Sequence, residues 1–136
     1  MDYLKYVEKY DISITPSHPF LKIDISNPIT NEELEEKAYI DTGFSGSLII
    51  TKPIFEKLNL NLIEIDETYY AIHAGRFITK LSPVIAVIRI KNFYHKKMKI
   101  FVHPYIDKVL MGREILNEIY LCLNGPKQVL EILYKS

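Results

Sequence analysis

The sequence predicts a single mainly-β domain, and three observations carry that expectation. Short β-branched and aromatic runs recur along the chain, turn residues separate them, and only two stretches have helical character. The length of 136 residues suits one domain, and 48% hydrophobic with 25% charged residues is the balance of a globular chain.

The elements follow in order. Phe20-Leu21-Lys22-Ile23-Asp24-Ile25 alternates apolar and polar side chains, the period-2 pattern of a half-buried strand. Asn27-Pro28-Ile29-Thr30-Asn31 breaks it, and the acidic run from Glu32 to Lys37 reads as a solvated excursion within a hairpin. Strand character resumes at Ala38 and again at Leu48-Ile49-Ile50. From Thr51 to Leu58 a short helix is expected, with Thr51 as cap, Pro53 in the first turn and Ile54, Phe55 and Leu58 on one apolar face. Leu62-Ile63-Glu64-Ile65 is strand-like, and residues 69–73 and 77–81 flank the glycine-bearing tip of a hairpin. Val84 to Ile90 and Lys99 to Val102 are further strands. Val109-Leu110-Met111 runs through Gly112 into a short helix beginning at Arg113, and a hairpin turning at Asn124-Gly125-Pro126 closes the chain. So many short strands suggest a closed or folded-over sheet, which limits open edges.

Bulk properties exclude several function classes. Lys+Arg and Asp+Glu are 17 each, so the basic surplus of a general nucleic-acid binder is missing. The single cysteine, Cys122, admits neither an intrachain disulfide nor a cysteine-based metal site, and its apolar neighbours suggest a buried small hydrophobe. His18, His95 and His103 are scattered, so no metal site is expected. The first ten residues are charged, no apolar stretch approaches a membrane span, and a cytoplasmic protein is the default expectation.

The chemistry-bearing feature is Asp41-Thr42-Gly43, set between Ala38-Tyr39-Ile40 and Leu48-Ile49-Ile50. A carboxylate there stands at the end of a buried strand and is held by a tight turn. Together with the glycine-tipped hairpin and the later Leu110-Met111-Gly112-Arg113, in that order, the pattern resembles the retropepsin-like aspartic proteases of the microbial and cellular type. The resemblance spans about Phe20 to Ile132.

It implies a retropepsin-like acid-protease fold, a closed, folded-over β-barrel with one or two short helices, one lobe per chain over residues 1–136. Residues 1–19 would be an N-terminal extension or a dimer arm. The implied activity is aspartic endopeptidase hydrolysis of a peptide or protein substrate, without cofactor or metal and without nucleic-acid or membrane partners. One Asp-Thr-Gly per chain calls for a homodimer, in which the two-fold axis supplies the second carboxylate. Two carboxylates in contact cannot both ionise, so they share a proton and can serve as base and acid together. By resemblance Asp41 would be catalytic, Thr42 would brace the paired loops, and Gly43 would donate an amide to the carboxylates. Ile72-His73-Ala74-Gly75-Arg76 would form the substrate-covering flap, with Phe44, Ile72, Pro83 and Val84 as pocket candidates. Leu110, Met111 and Gly112 would pack behind the catalytic turn, and Arg113 would support it by an ion pair. This chain departs from the retroviral pattern at two positions. Ser45 stands where an acid would pair with the arginine, and Phe44 is bulkier than the usual small residue. Those departures motivate the alternative, a catalytically silent dimeric peptide-binding or scaffolding module on the same fold.

Overall fold

The computed structural model describes residues 3–63, 69–72 and 78–135. The chain runs β1 (Leu4–Lys9), β2 (Phe20–Ser26), β3 (Glu33–Ile40), β4 (Leu48–Thr51) and α1 (Lys52–Lys57), then a 3-10 helix (Leu60–Ile63) and β5 (Tyr69–Ile72). It continues with β6 (Ile78–Ile90), β7 (Tyr94–His103), β8 (Val109–Met111), α2 (Arg113–Leu116), β9 (Tyr120–Asn124) and β10 (Val129–Tyr134). The strand order β2-β3-β8-β4-β7-β6 is closed by pairing of β2 with β6, giving a six-stranded barrel; β5 extends it beyond β6. The mainly-β expectation with two short α-helices holds.

The barrel interior follows from strand alternation. Leu21, Ile23 and Ile25 of β2, Val84, Ala86, Ile88 and Ile90 of β6, and Met98, Ile100 and Val102 of β7 point into one core. Each fully buried large aliphatic side chain contributes about 1.5–3 kcal/mol of transfer free energy. β6 continues through Pro83 because the proline lies between the segments that pair with β5 and with β2, where one edge of the strand has no ladder to break. Outside the barrel, β1, β10 and β9 form a separate three-stranded antiparallel sheet in that order. Residues 4–9 thus belong to the fold, as a strand pairing with β10 of their own chain.

Three local expectations are corrected. The acidic run is strand β3, because pairing with β2 carries Leu34 toward the core while Arg89 neutralises Glu33 (2.9 Å) and Asp24 (3.0 Å) on the surface. Leu62 and Ile63 lie in the 3-10 helix, which follows α1 after Asn59 enters the left-handed region at φ 53°; Glu64 and Ile65 fall outside the described residues. Cys122 is exposed, since it sits opposite Glu131 on the face of β9 turned from Leu130 and Ile132.

Candidate active site

β8 lies between β3 and β4, parallel to the first and antiparallel to the second. The β3–β4 connection carrying Asp41 must therefore pass the end of β8, where Gly112 leads into α2. The crossing is knitted by backbone hydrogen bonds. Asp41 N–H donates to the Met111 carbonyl (2.9 Å), Gly112 N–H to Ser47 (2.8 Å), Arg113 N–H to Phe44 (2.9 Å) and Glu114 N–H to Gly46 (3.1 Å). Space explains the glycine: a Cβ on Gly112 would overlap the carbonyl oxygens of Gly46 and Phe44 and the Phe44 ring. The Gly112 backbone is extended, at φ −99°, so close approach rather than torsional freedom selects glycine here.

The acid is positioned within the turn. Asp41 is half-buried, and its Oδ1 accepts the Gly43 N–H at 3.1 Å; Thr42 and Gly43 are exposed. Strand β3 delivering Asp41 is clamped from the N-terminal segment. Ile40 N–H donates to the Pro19 carbonyl, His18 Nε2 lies 3.2 Å from the Ile40 carbonyl, and the Tyr39 hydroxyl donates to Asp11 Oδ2. Hydrogen bonds from Ser13 and Tyr39 hold the Asp11 carboxyl down to about 2. Burial, reinforced by Asp11, pushes the Tyr39 phenol up to about 12.

Beside the turn lies an apolar patch on the barrel's outer face. Ile49, Leu81 and Phe101 are buried there, and Phe44, Ile106 and Leu110 pack against them. The Phe44 ring meets Phe101 edge-on at 6.1 Å. A cavity of about 370 Å³ opens at this place, with Phe44, Leu81 and Phe101 as apolar walls and Ser45, Lys99 and Glu114 as polar ones. A larger depression of about 820 Å³ lies between β3, α1 and the 106–109 segment, and no residue of Asp41-Thr42-Gly43 lines either cavity.

The expected site residues therefore separate into groups. Asp41, Gly43, Met111 and Gly112 come together as hydrogen-bonded neighbours, and Leu110 faces the apolar patch with Phe44. Pro83 pairs with Phe101 and is buried beside that patch. Val84 is a correction: it is fully buried in the barrel interior on the opposite face of β6, so no substrate can reach it. The Arg113 guanidinium is exposed and makes no ion pair among the described residues; its backbone N–H supports the turn instead. Ile72 ends β5, paired in register with Ile78, while His73, Ala74, Gly75 and Arg76 fall outside the described residues.

Sequence reading missed Ile49, Leu81, Phe101 and Ile106 as neighbours of the turn, and Ser47 as its anchor. Ser47 is fully buried, with its hydroxyl donating to the Lys99 carbonyl and its own carbonyl accepting from Gly112. The available signal was local: a small hydroxyl residue between a glycine and a buried strand. Among the described residues no group of three or more His, Cys, Asp or Glu could hold a metal, and no helix is long and apolar enough to cross a membrane.

No protein-family model matches the chain. A curated protein of Archaeoglobus fulgidus, described as an uncharacterized protein, is 25% identical over 120 residues, spanning 84% of this chain and 92% of that one. The crystal structure of a retropepsin-like aspartic protease from Rickettsia conorii matches with a TM-score of 0.64 at 18% identity, covering 99% of this chain and 94% of its own. The closed six-stranded barrel, with the Asp41 turn crossing the end of β8, is a retropepsin-like fold.

Proposed function

We propose that this chain is an aspartic endopeptidase whose active species is a homodimer. The supporting observation is the seating of Asp41: an acid at a strand end whose backbone N–H donates to the Met111 carbonyl and whose carboxylate accepts the Gly43 N–H, near an apolar cluster with Phe44 at its rim. One chain offers one such acid, so the second comes from a copy related by a two-fold axis.

In the dimer the two Asp41 carboxyls share one proton. The ionised one takes a proton from water as the water oxygen bonds to the scissile carbonyl carbon. The protonated one donates to the carbonyl oxygen, giving a tetrahedral diol. Collapse breaks the C–N bond: the carboxylate takes a proton from one diol hydroxyl as the C=O forms, and the other carboxyl gives its proton to the departing amine, which restores the singly protonated pair. Thr42 braces the paired turns across the axis. The substrate lies extended between the turns and a flap assigned to residues 72–76, and a side chain enters the cavity beside Phe44.

The test is hydrolysis of a mixed peptide library by the wild type and Asp41→Asn, with chelator and with a statine-type inhibitor. The expected result is chelator-insensitive, statine-inhibited cleavage that falls by about 10²–10⁴-fold or more in Asp41→Asn, which stays folded. Cleavage that survives Asp41→Asn and stops with chelator would overturn this reading. Peptide binding without turnover would favour the silent binding module.

A further inference from the structure

The outer face of the barrel next to Asp41 is built in rows. Ile40 packs into the core, and the Asp41 N–H bond to Met111 carries the β3 ladder one residue further. Tyr39 and Asp41, on either side of Ile40, therefore point outward, with Lys37 on the same face two residues earlier. β2 sets Phe20 opposite Tyr39 and Lys22 opposite Lys37, and β8 sets Leu110 opposite Tyr39. Two ammonium groups lean onto the aromatic row. Lys37 Nζ lies 5.0 Å from the Phe20 ring centroid and Lys108 Nζ 5.5 Å from that of Tyr39, and the two rings are 5.9 Å apart.

This concentration of positive charge is not neutralised locally. Like charges directly opposite one another destabilise a sheet, yet Lys22 faces Lys37. Among the described residues none of Lys22, Lys37 and Lys108 makes an ion pair. Asp11 feels Lys37 through space, but its two carboxylate oxygens are engaged by Ser13 and Tyr39. Glu35, Glu36 and the exposed Asp107 line the same 820 Å³ depression as the lysines. Glu35 and Glu36 start about 16–20 Å before Asp41 along an extended strand, whereas the Tyr39 row is only about 7 Å from it.

From this we infer that Lys37 and Lys108 are specificity-determining residues, and that the substrates are peptides with an aspartate or glutamate two to four residues from the scissile bond. The inference rests on the endopeptidase reading above and names its substrate class. Leu110 joins the two regions, because it lies opposite Tyr39 and packs with Phe44 and Ile106 in the apolar cluster. An extended substrate rises about 3.3 Å per residue, so a side chain two to four residues from the bond over Asp41 comes level with the Tyr39 and Lys37 rows. A carboxylate there meets two ammonium groups that have only aromatic faces for partners, and a lysine or arginine meets repulsion. The two-fold axis repeats the pair on the other side of the scissile bond.

The experiment uses the full chain and peptides built on a site that it cleaves, with Glu, Gln or Lys placed in turn at each position two to four residues from the bond. At one or more of these positions kcat/KM for Glu should exceed that for Gln by about three- to tenfold, and that for Lys by more. The difference should lie in KM rather than kcat, because such a contact is made alike in ground and transition states. It should shrink as salt rises from about 0.05 to 1 M. Lys37→Gln combined with Lys108→Gln should abolish the preference while the Gln peptide is still cleaved, and Lys108→Glu should turn it toward Lys. Lys127→Glu, in the turn between β9 and β10, should leave it unchanged. An Asp41-dependent protease that cleaves the three peptides alike, or keeps its acidic preference in the double Gln variant, overturns the inference and leaves the protease reading standing. The absence of any Asp41-dependent cleavage overturns both.

Discussion

Asp41 is useful only because neighbouring residues fix it, and two of those neighbours are testable one at a time. At Gly112 a methyl group would meet backbone oxygens, which cannot swing aside as a side chain can. Gly112→Ala is therefore expected to lower unfolding stability by about 1–3 kcal/mol in a denaturant titration and to reduce activity further by displacing the Asp41 turn. A stability within a few tenths of wild type would show that the crossing has slack. Asp11 acts at one remove, through Tyr39, on the strand that delivers the acid. Its carboxyl titrates at about 2 in the folded chain and at about 4 when unfolded, because Ser13 and Tyr39 donate to the ionised form. The folded state thus favours the ion, and this contribution is full above pH 4 and lost as pH falls toward 2. Melting temperatures of wild type and Asp11→Asn should differ most above pH 4 and converge by about pH 2. Parallel pH profiles would remove Asp11 from the clamp.

At the scale of elements, the strands were legible where one face was polar, and hard to orient where both faces were apolar. β2 alternates openly, so its core residues Leu21, Ile23 and Ile25 follow from sequence. β6 does not: Leu81 and Pro83 face the outer patch while Val84 and Ala86 face the interior, and its polar residues fall on both parities, Lys80 and Ser82 in step with Val84 and Arg89 in step with Leu81. That is why Val84 was expected in a pocket and lies in the core. Cys122 misled in the opposite sense, since apolar neighbours on an edge strand do not imply burial. The β8–α2 crossing was legible because a glycine there has a steric reason, whereas Phe101 of β7 and Ile106 of the β7–β8 connection reach the same place from far along the chain. Phe44 is where local and long-range contacts meet: its ring lies between the Asp41 turn and Phe101. Phe44→Ala should enlarge the 370 Å³ cavity and shift cleavage of a peptide library toward substrates with bulkier side chains near the scissile bond. An unchanged cleavage pattern would place Phe44 outside the substrate's reach.

On the scale of the whole molecule, the question is whether chemistry belongs to one chain or to two. Among the described residues the barrel closes within a single chain, and Leu130 and Ile132 of the terminal sheet reach the same core as β2, β6 and β7. On the proposed reading, what the single chain lacks is the second acid. This separates folding from function and makes subunit mixing decisive. Asp41→Asn chains should fold and associate as wild-type chains do, because Asp41 Oδ1 accepts the Gly43 N–H, a contact that the Asn oxygen retains. If equal amounts of the two chains are denatured together, refolded and left to pair at random, about a quarter of the dimers carry two aspartates. A mixed dimer has one carboxyl and cannot share a proton between two, so activity per wild-type chain should fall to about half its unmixed value. A site contained in one chain would keep its activity per wild-type chain whatever the mixture. Diluting the wild type separates the cases again: specific activity should fall as the dimer dissociates, whereas a self-contained site would hold constant down to the lowest measurable concentration.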